Sequence, residues 1–441
     1  MNAAEQFSKV EHDLRSTHPQ ICFNNIIFDA GDVGGDSSTS IDELINSSQV
    51  NAIDPVKFEA QTGILINDLV DKNRTIKFKS ADELADITLR YMFNLKKYLE
   101  DQKIDIIFAY CVSDTLSYGL FKLAQHLSIP LYFPIPARIG NFLYLSDNLS
   151  TGPASYKSSL HSEGETRKII QEAISKKIQP SYAKDPALVY APLKWKKLKI
   201  LIDLFFYKQS SQYLNNSTSP FRAIKSYLSR SMSVLEYKPL ITYREGGDVK
   251  KKYIIFPLHL HPETATIILG RWLYDQSEII RIISRVLPSD YQLIVKEHPA
   301  AVGRRPRNFY TNITKNRNVK LIDHEAPMID LIKGSSGVTV ISGTAGLEAI
   351  LHDIGVMTFG QVHYNQIDDV IKSTDLSTIR ASLSSLLNFR DYNSDEKNKF
   401  FHNVLRNAVE ISGDGYNPTR QDPNTVSALA KLLNLAICKN L

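Results

Sequence analysis

The chain has 441 residues, enough for two or three domains, and its 43% hydrophobic and 22% charged residues are the balance of a globular protein. The net charge of +5 suits anionic ligands or a membrane surface, but it is too small and too scattered to indicate nucleic acid. Cys22, Cys111 and Cys438 lie far apart without a CxxC pair, which argues against a disulfide scaffold or zinc site and for a reducing cytosol; the polar start "MNAAEQFSKVEHDLRST" reads as no signal peptide, and no apolar run reaches the ~18 residues of a membrane span.

In chain order, "NIIFDAG" (25–31) reads as a buried strand. The glycine-rich loop 31–40 after it lacks the spacing of a dinucleotide fingerprint or P-loop, and reads as a flexible loop or a lid near a ligand. "IDIIFAY" (104–110), a helix from Asp114 to Leu127 and "IPLYF" (129–133) give a β-α-β rhythm, which favours a parallel sheet. Residues 150–250 are helical or irregular and rich in Ser, Lys and Tyr, with an inter-domain crossing expected near 240–252. Within them, "PLKWKKLKILIDLFFYK" (192–208) is basic and then apolar. It reads as a helix half in the core, or as one docking on an anionic membrane.

The second half predicts strands at 253–260, 291–299, 318–323, 338–342 and 356–360. Helices are expected at 271–286, 326–335 and 344–351 between them, then at about 376–388, 395–411 and 423–437. Five strands with crossover helices make a Rossmann-like domain, whose ligands bind beyond the carboxyl ends of the strands.

Three such ends carry chemistry. "VISGTAGLEAI" runs from strand into helix: Ser342 or Thr344 can cap the helix, Gly343 lets a phosphate approach, and the first helical amides favour an anion. Glu348, one turn along, can accept from ribose hydroxyls or stay solvated. In "VKEHP", His298 can donate to a phosphate oxygen and Lys296 can neutralise one, with Glu297 between them; Arg304 and Arg305 follow as a possible fork, or the whole is a charged surface loop. In "FPLHLHPETAT", His259 and His261 share a strand face, and Glu263 is the best placed carboxylate for a general base or for stabilising a developing positive charge. No third residue at fixed spacing makes the two histidines a metal site.

The order and spacing of "FPLHLHPETAT", "YDQ", "LIVKEHP…GRRP…FY", "VISGTAGLEAI" and "FGQVHYN" resemble the capsule-polysaccharide-synthesis family of bacterial glycosyltransferases, which includes Kdo transferases. The resemblance covers about 253–365, roughly a quarter of the chain. It implies a GT-B-like α/β fold, two Rossmann-like domains facing a central cleft with C-terminal helices closing the chain: 1–248 for the acceptor and 249–441 for the donor. It further implies a nucleotide-sugar donor such as CMP-Kdo, a glycan or glycolipid acceptor, no cofactor and no metal, and a cytoplasmic protein peripheral at the inner membrane. His298, Ser342 and Thr344 fall on the family's phosphate-contacting motifs, and His261, Lys296, Glu297, Arg304, Gly343 and Glu348 complete the expected donor site. Kdo-transferring members carry aspartates, one a nucleophile, where this chain has Pro262-Glu263. Asp114, Arg138 and Asn141 are the expected acceptor residues, each with a plain structural reading as helix cap or surface loop. Polyol-phosphate transfer, sugar-nucleotide epimerisation and a non-catalytic nucleotide-sugar-binding subunit are the competing readings.

Overall fold

Thirteen strands appear in the described part of the computed structural model, which covers residues 10–12, 14–16, 25–27, 38–46, 53–76, 78, 80–149, 152–154, 159–175, 220–270, 272–411 and 423–440. They are β1 (Asn25–Ile27), β2 (Ser38–Ser40), β3 (Ile107–Phe108), β4 (Leu131–Pro136), β5 (Phe142–Ser146), β6 (Ile241–Tyr243), β7 (Lys252–Pro257), β8 (Tyr291–Lys296), β9 (Val319–Ile322), β10 (Val338–Val340), β11 (Val356–Thr358), β12 (Ile371–Lys372) and β13 (Val409–Glu410). Most of the glycine-rich loop, all of the basic-apolar segment 192–208 and Arg271 lie outside the described residues.

The larger sheet has the order β12-β11-β10-β7-β8-β9-β6, parallel throughout. Its middle strands are buried on both faces: Ile254, Ile255 and Phe256, Leu293, Ile294 and Val295, Val338 and Val340. Continuous apolar runs are what a helix-covered parallel strand requires. From β7 the chain builds outward through β8 and β9. It then crosses to the other side of β7 and continues through β10, β11 and β12. The reversal lies between β7 and β10, and such a switch point opens a crevice at the carboxyl ends of the strands. The β7–β8 crossover helix begins at Gln276 rather than Arg271, because the Asp275 carboxylate accepts from the Ser277 and Glu278 amides and starts it there. It buries Ile279, Ile280 and Ile283, about 1.5–3 kcal/mol for each side chain taken out of water.

The first unit departs from the expected all-parallel plan. Its four-stranded sheet runs β13-β5-β4-β3, and only β3–β4 is parallel; β4–β5 is an antiparallel hairpin and β13 adds antiparallel to β5. Pro134 and Pro136 explain the arrangement. β3 covers only Leu131 and Tyr132 of β4, so the prolines lie where one edge is open and a missing N–H costs no ladder bond. The hairpin turn puts Arg138 in the left-handed region at φ 60°, and Ala137, Ile139 and Tyr144 enter the same core as Ile255 and Ile294 of the larger sheet. Two α/β units therefore meet along the strand tips, a GT-B-like plan in which the smaller unit is mixed rather than Rossmann-like.

The boundaries also shift. The helix Pro220–Leu240 and β6 belong to the second unit, since β6 pairs with β9 and Tyr237 lies against Tyr310, so the crossing precedes residue 220 instead of falling at 248. After the helix Ser394–Leu405 the chain returns to the first unit. There β13 and the helix Pro423–Asn440 bury Val409, Leu429, Leu432 and Ile437 with Tyr132, Leu143 and Leu145. No helix among the described residues is long and apolar enough to cross a membrane.

Candidate functional site

β10, β7 and β8 are neighbours, so the three chemically loaded strand ends stand side by side. At the end of β8, buried Lys296 donates from Nζ to the His324 carbonyl at 2.7 Å. Burial pushes its pKa down to about 8, against the opposing pull of Glu297, Asp323 and Glu348. Glu297 is already paired within the protein. Its carboxylate is fully buried and accepts from Arg305 Nε and Nη2 at 2.8 and 2.6 Å, from the Tyr310 hydroxyl at 2.7 Å and from the His298 amide at 2.6 Å. Arg305 also turns inward, donating to the His259 carbonyl at 2.8 Å, so of the two expected arginines only Arg304 remains exposed at the rim.

His298 caps a short turn, Pro299–Ala301, and its Nδ1 accepts the Ala300 amide at 3.2 Å. Burial lowers its pKa to about 4, so the ring is neutral near pH 7. An accepting Nδ1 leaves the proton on Nε2, which makes that edge a donor.

At the end of β10 the hydroxyl of Ser342 is already committed. It is buried and donates to the Ala265 carbonyl at 2.9 Å, while the Ser342 amide donates to His259 Nε2 at 3.4 Å. Ser342 is thus a joint between β10 and the β7 loop, not a phosphate-facing hydroxyl. The N-cap of the helix Thr344–Leu351 is Gly343, and no side chain caps it. A Cβ on Gly343 would lie 2.7 Å from His259 Nε2, so the close packing of that histidine demands glycine. The Tyr364 hydroxyl donates to the Gly343 carbonyl at 2.7 Å and holds the cap from the other side. Thr344 begins the helix half-buried. Glu348 follows one turn on, its pKa raised by burial and drawn back by Lys296 and Arg138.

At the end of β7, His259 is buried and neutral, its pKa lowered to about 3 by burial. The Gln276 side chain grips it, accepting from its amide at 2.6 Å and donating to its carbonyl at 3.2 Å. His261 lies parallel to the Tyr274 ring, with centroids 6.0 Å apart, and its Nδ1 is 3.1 Å from Thr266 Oγ1. Glu263 is half-buried and is the N-cap of the helix Thr264–Ile267; among the described residues no side-chain donor reaches its carboxylate. Burial raises its pKa, while Arg74, Arg138 and Arg304 pull it down.

The first unit contributes unevenly. Arg138 reaches across, its Nη1 donating to the Ser342 carbonyl at 2.9 Å. Asp114 is a helix cap: it accepts from the Ser117 amide and hydroxyl at 3.0 and 2.7 Å and from the Thr75 hydroxyl at 2.7 Å. The Asn141 carbonyl accepts from the Ile411 amide at 2.9 Å, which ties it to the returning C-terminal segment. Arg74 was missed. It lies in a turn, donates weakly to the Ser113 carbonyl at 3.4 Å, and acts on both Glu263 and His261. No periodicity or strand end marks it; only the fold places it there. Arg74, Arg138, Arg304 and Lys296 bring positive charge to Glu263 and Glu348 beside a helix N-terminus that no side chain caps.

Residues 171–368 match the family model described as capsule polysaccharide biosynthesis protein. Curated relatives include the capsule polysaccharide export protein KpsS of Escherichia coli, 28% identical over 93 residues, 20% of this chain and 24% of that protein. Another is the capsule polysaccharide modification protein LipB of Neisseria meningitidis, 22% identical over 176 residues, 37% of this chain and 39% of that protein. The chain thus spans well under half the length of these relatives. Similar solved structures include KpsC of Thermosulfurimonas dismutans, a beta Kdo 2,7 transferase, at 12% identity over 78% of this chain and 90% of that one, with a TM-score of 0.34. The UDP-GlcNAc 2-epimerase of Methanocaldococcus jannaschii is 12% identical over 80% of this chain and 81% of that one, with a TM-score of 0.27.

Proposed function

We propose that this chain, whose residues 171–368 match the capsule polysaccharide biosynthesis family model, transfers a sugar from a nucleotide-activated donor to a growing bacterial surface glycan or its lipid-linked acceptor. The observation that carries the reading is the convergence of three neighbouring strand ends on one unpaired carboxylate, Glu263, ringed by arginines from both units. The donor phosphate sits at the N-terminus of the helix Thr344–Leu351, where unpaired amides and the helix dipole favour an anion. His298 donates from Nε2 to a phosphate oxygen, and Lys296 with Arg304 neutralises the charge that grows there as the bond to the sugar breaks. Glu348 accepts from the ribose. Glu263 takes the proton of the acceptor hydroxyl as the new C–O bond forms and the phosphate leaves with the bonding pair. Its raised pKa suits a base better than that of an exposed carboxylate would.

The donor nucleotide is found by thermal shift with CMP, UDP, GDP and CDP, and CMP selectivity points to an ulosonic acid such as Kdo. With the donor so identified, His298→Ala lowers turnover by about 10²–10³, the usual loss for one oxyanion donor. Unchanged turnover removes His298 from the mechanism, and a product that has gained phosphate mass replaces glycosyl transfer with polyol-phosphate transfer. Because protein cations carry the phosphate charge in this scheme, EDTA leaves turnover unchanged.

A further inference from the structure

Trp272 is 82% exposed, the highest value for a large apolar side chain among the described residues. A lone exposed apolar residue is ordinary. What distinguishes this one is its support. The Leu273 amide donates to the Gly270 carbonyl at 2.9 Å, the Gln361 amide donates to the Leu269 carbonyl at 2.7 Å, and Leu273 is buried in the second unit's core. A Cβ on Gly270 would lie 2.4 Å from the Thr266 carbonyl, so the loop is folded tightly onto the short helix that follows Glu263. Two residues on, Tyr274 stacks on His261 at an interplanar angle of 7°. Next along, Gln276 grips His259. The indole therefore stands on the same framework that places Glu263.

We propose that Trp272, two residues before the Tyr274 that stacks on His261, is a platform for a pyranose ring of the acceptor glycan, an inference that rests on the glycosyl-transfer reading above. A flat indole covers the axial C–H face of a sugar, and its N–H can donate to a hydroxyl. Membrane docking fits less well, because it draws on an amphipathic helix with basic side chains along it, and the element before Trp272 is a four-residue helix, Thr264–Ile267.

The chain has two tryptophans, Trp195 and Trp272, so a Trp195→Phe background makes Trp272 the sole indole reporter. The probes are maltohexaose, an oligogalacturonate hexamer, their monosaccharides, and vesicles of phosphatidylglycerol and phosphatidylethanolamine. The expected result is an emission shift with at least one oligomer and not with its monosaccharide. In the native background, Trp272→Ala then weakens that oligomer's binding about three- to ten-fold, the range of one aromatic contact. Emission unmoved by every saccharide, or moved by vesicles alone, overturns the platform. Nucleotide thermal shifts on the same samples read the donor site separately, so failure of the donor site and failure of the platform are told apart.

Discussion

Glu263 and Glu297 stand just beyond the ends of adjacent strands, and they have opposite surroundings. Glu297 is buried and fully paired, with Arg305 forked onto both its oxygens and Tyr310 and the His298 amide filling what remains. Glu263 has no such partner, only three arginines whose charge it feels, and burial raises its pKa. A satisfied buried carboxylate holds strand ends in register. An unsatisfied one facing cations is a group kept available for a ligand. In the proposed function, the contrast separates the floor of the site from its working surface, although both are a glutamate near a histidine and a proline.

Exchanging the two tests this most sharply. Glu263→Gln should cut transfer by about 10²–10⁴, the range for a lost acid–base group, with the melting temperature unchanged or slightly higher. Glu297→Ala should instead cost about 3–5 kcal/mol of stability, because it strands the buried Arg305 charge. A stable, fully active Glu263→Gln protein would reverse the assignment, and so would a Glu297→Ala protein that melts like the parent.

The same contrast shows where a sequence can be read and where it cannot. The second unit was legible because its strands are continuous apolar runs that end abruptly in charge. Which of two glutamates is held by buried partners was not legible, since Arg305 and Tyr310 reach Glu297 only through the fold. Ser342 and Thr344 looked equivalent; the helix starts at Thr344 as expected, but Gly343 is its N-cap and the Ser342 hydroxyl turns inward to the Ala265 carbonyl. Arg74 had no local signal at all. In the first unit Pro134 and Pro136 mark a strand that cannot be paired on both edges along its whole length, which is what the hairpin shows.

A smaller effect probes the joint between floor and rim. Gly343→Ala places a Cβ 2.7 Å from His259 Nε2, and Gln276 holds the backbone of that histidine on both sides, so it has little room to retreat. The expected loss is about 1–3 kcal/mol in thermal or denaturant unfolding, as for other overpacked sites. Nucleotide affinity should fall with it, because the displaced cap is the start of the helix Thr344–Leu351. A destabilised protein that still binds nucleotide normally would detach the helix terminus from the donor site.

The smallest effect concerns acid. Buried His363 stacks on Phe400, its Nε2 has no hydrogen-bond partner, and burial lowers its pKa to about 3. His259 is likewise held near 3 and His298 near 4. A histidine in the unfolded chain titrates near 6.5, so between about pH 6.5 and 4 the unfolded state binds more protons than the folded one. Stability therefore rises with pH across this window and is lost on acidification, by up to about 1.4 kcal/mol per pH unit for each fully buried ring. Glu263 and Glu348 oppose this, since their raised pKa values let the folded state take up protons first. His363→Phe keeps the ring stack on Phe400 and removes one titrating group from behind the working surface. The variant should match the parent near pH 7 and lose less melting temperature between pH 6.5 and 4.5; parallel curves would mean that His363 is not held neutral by its burial.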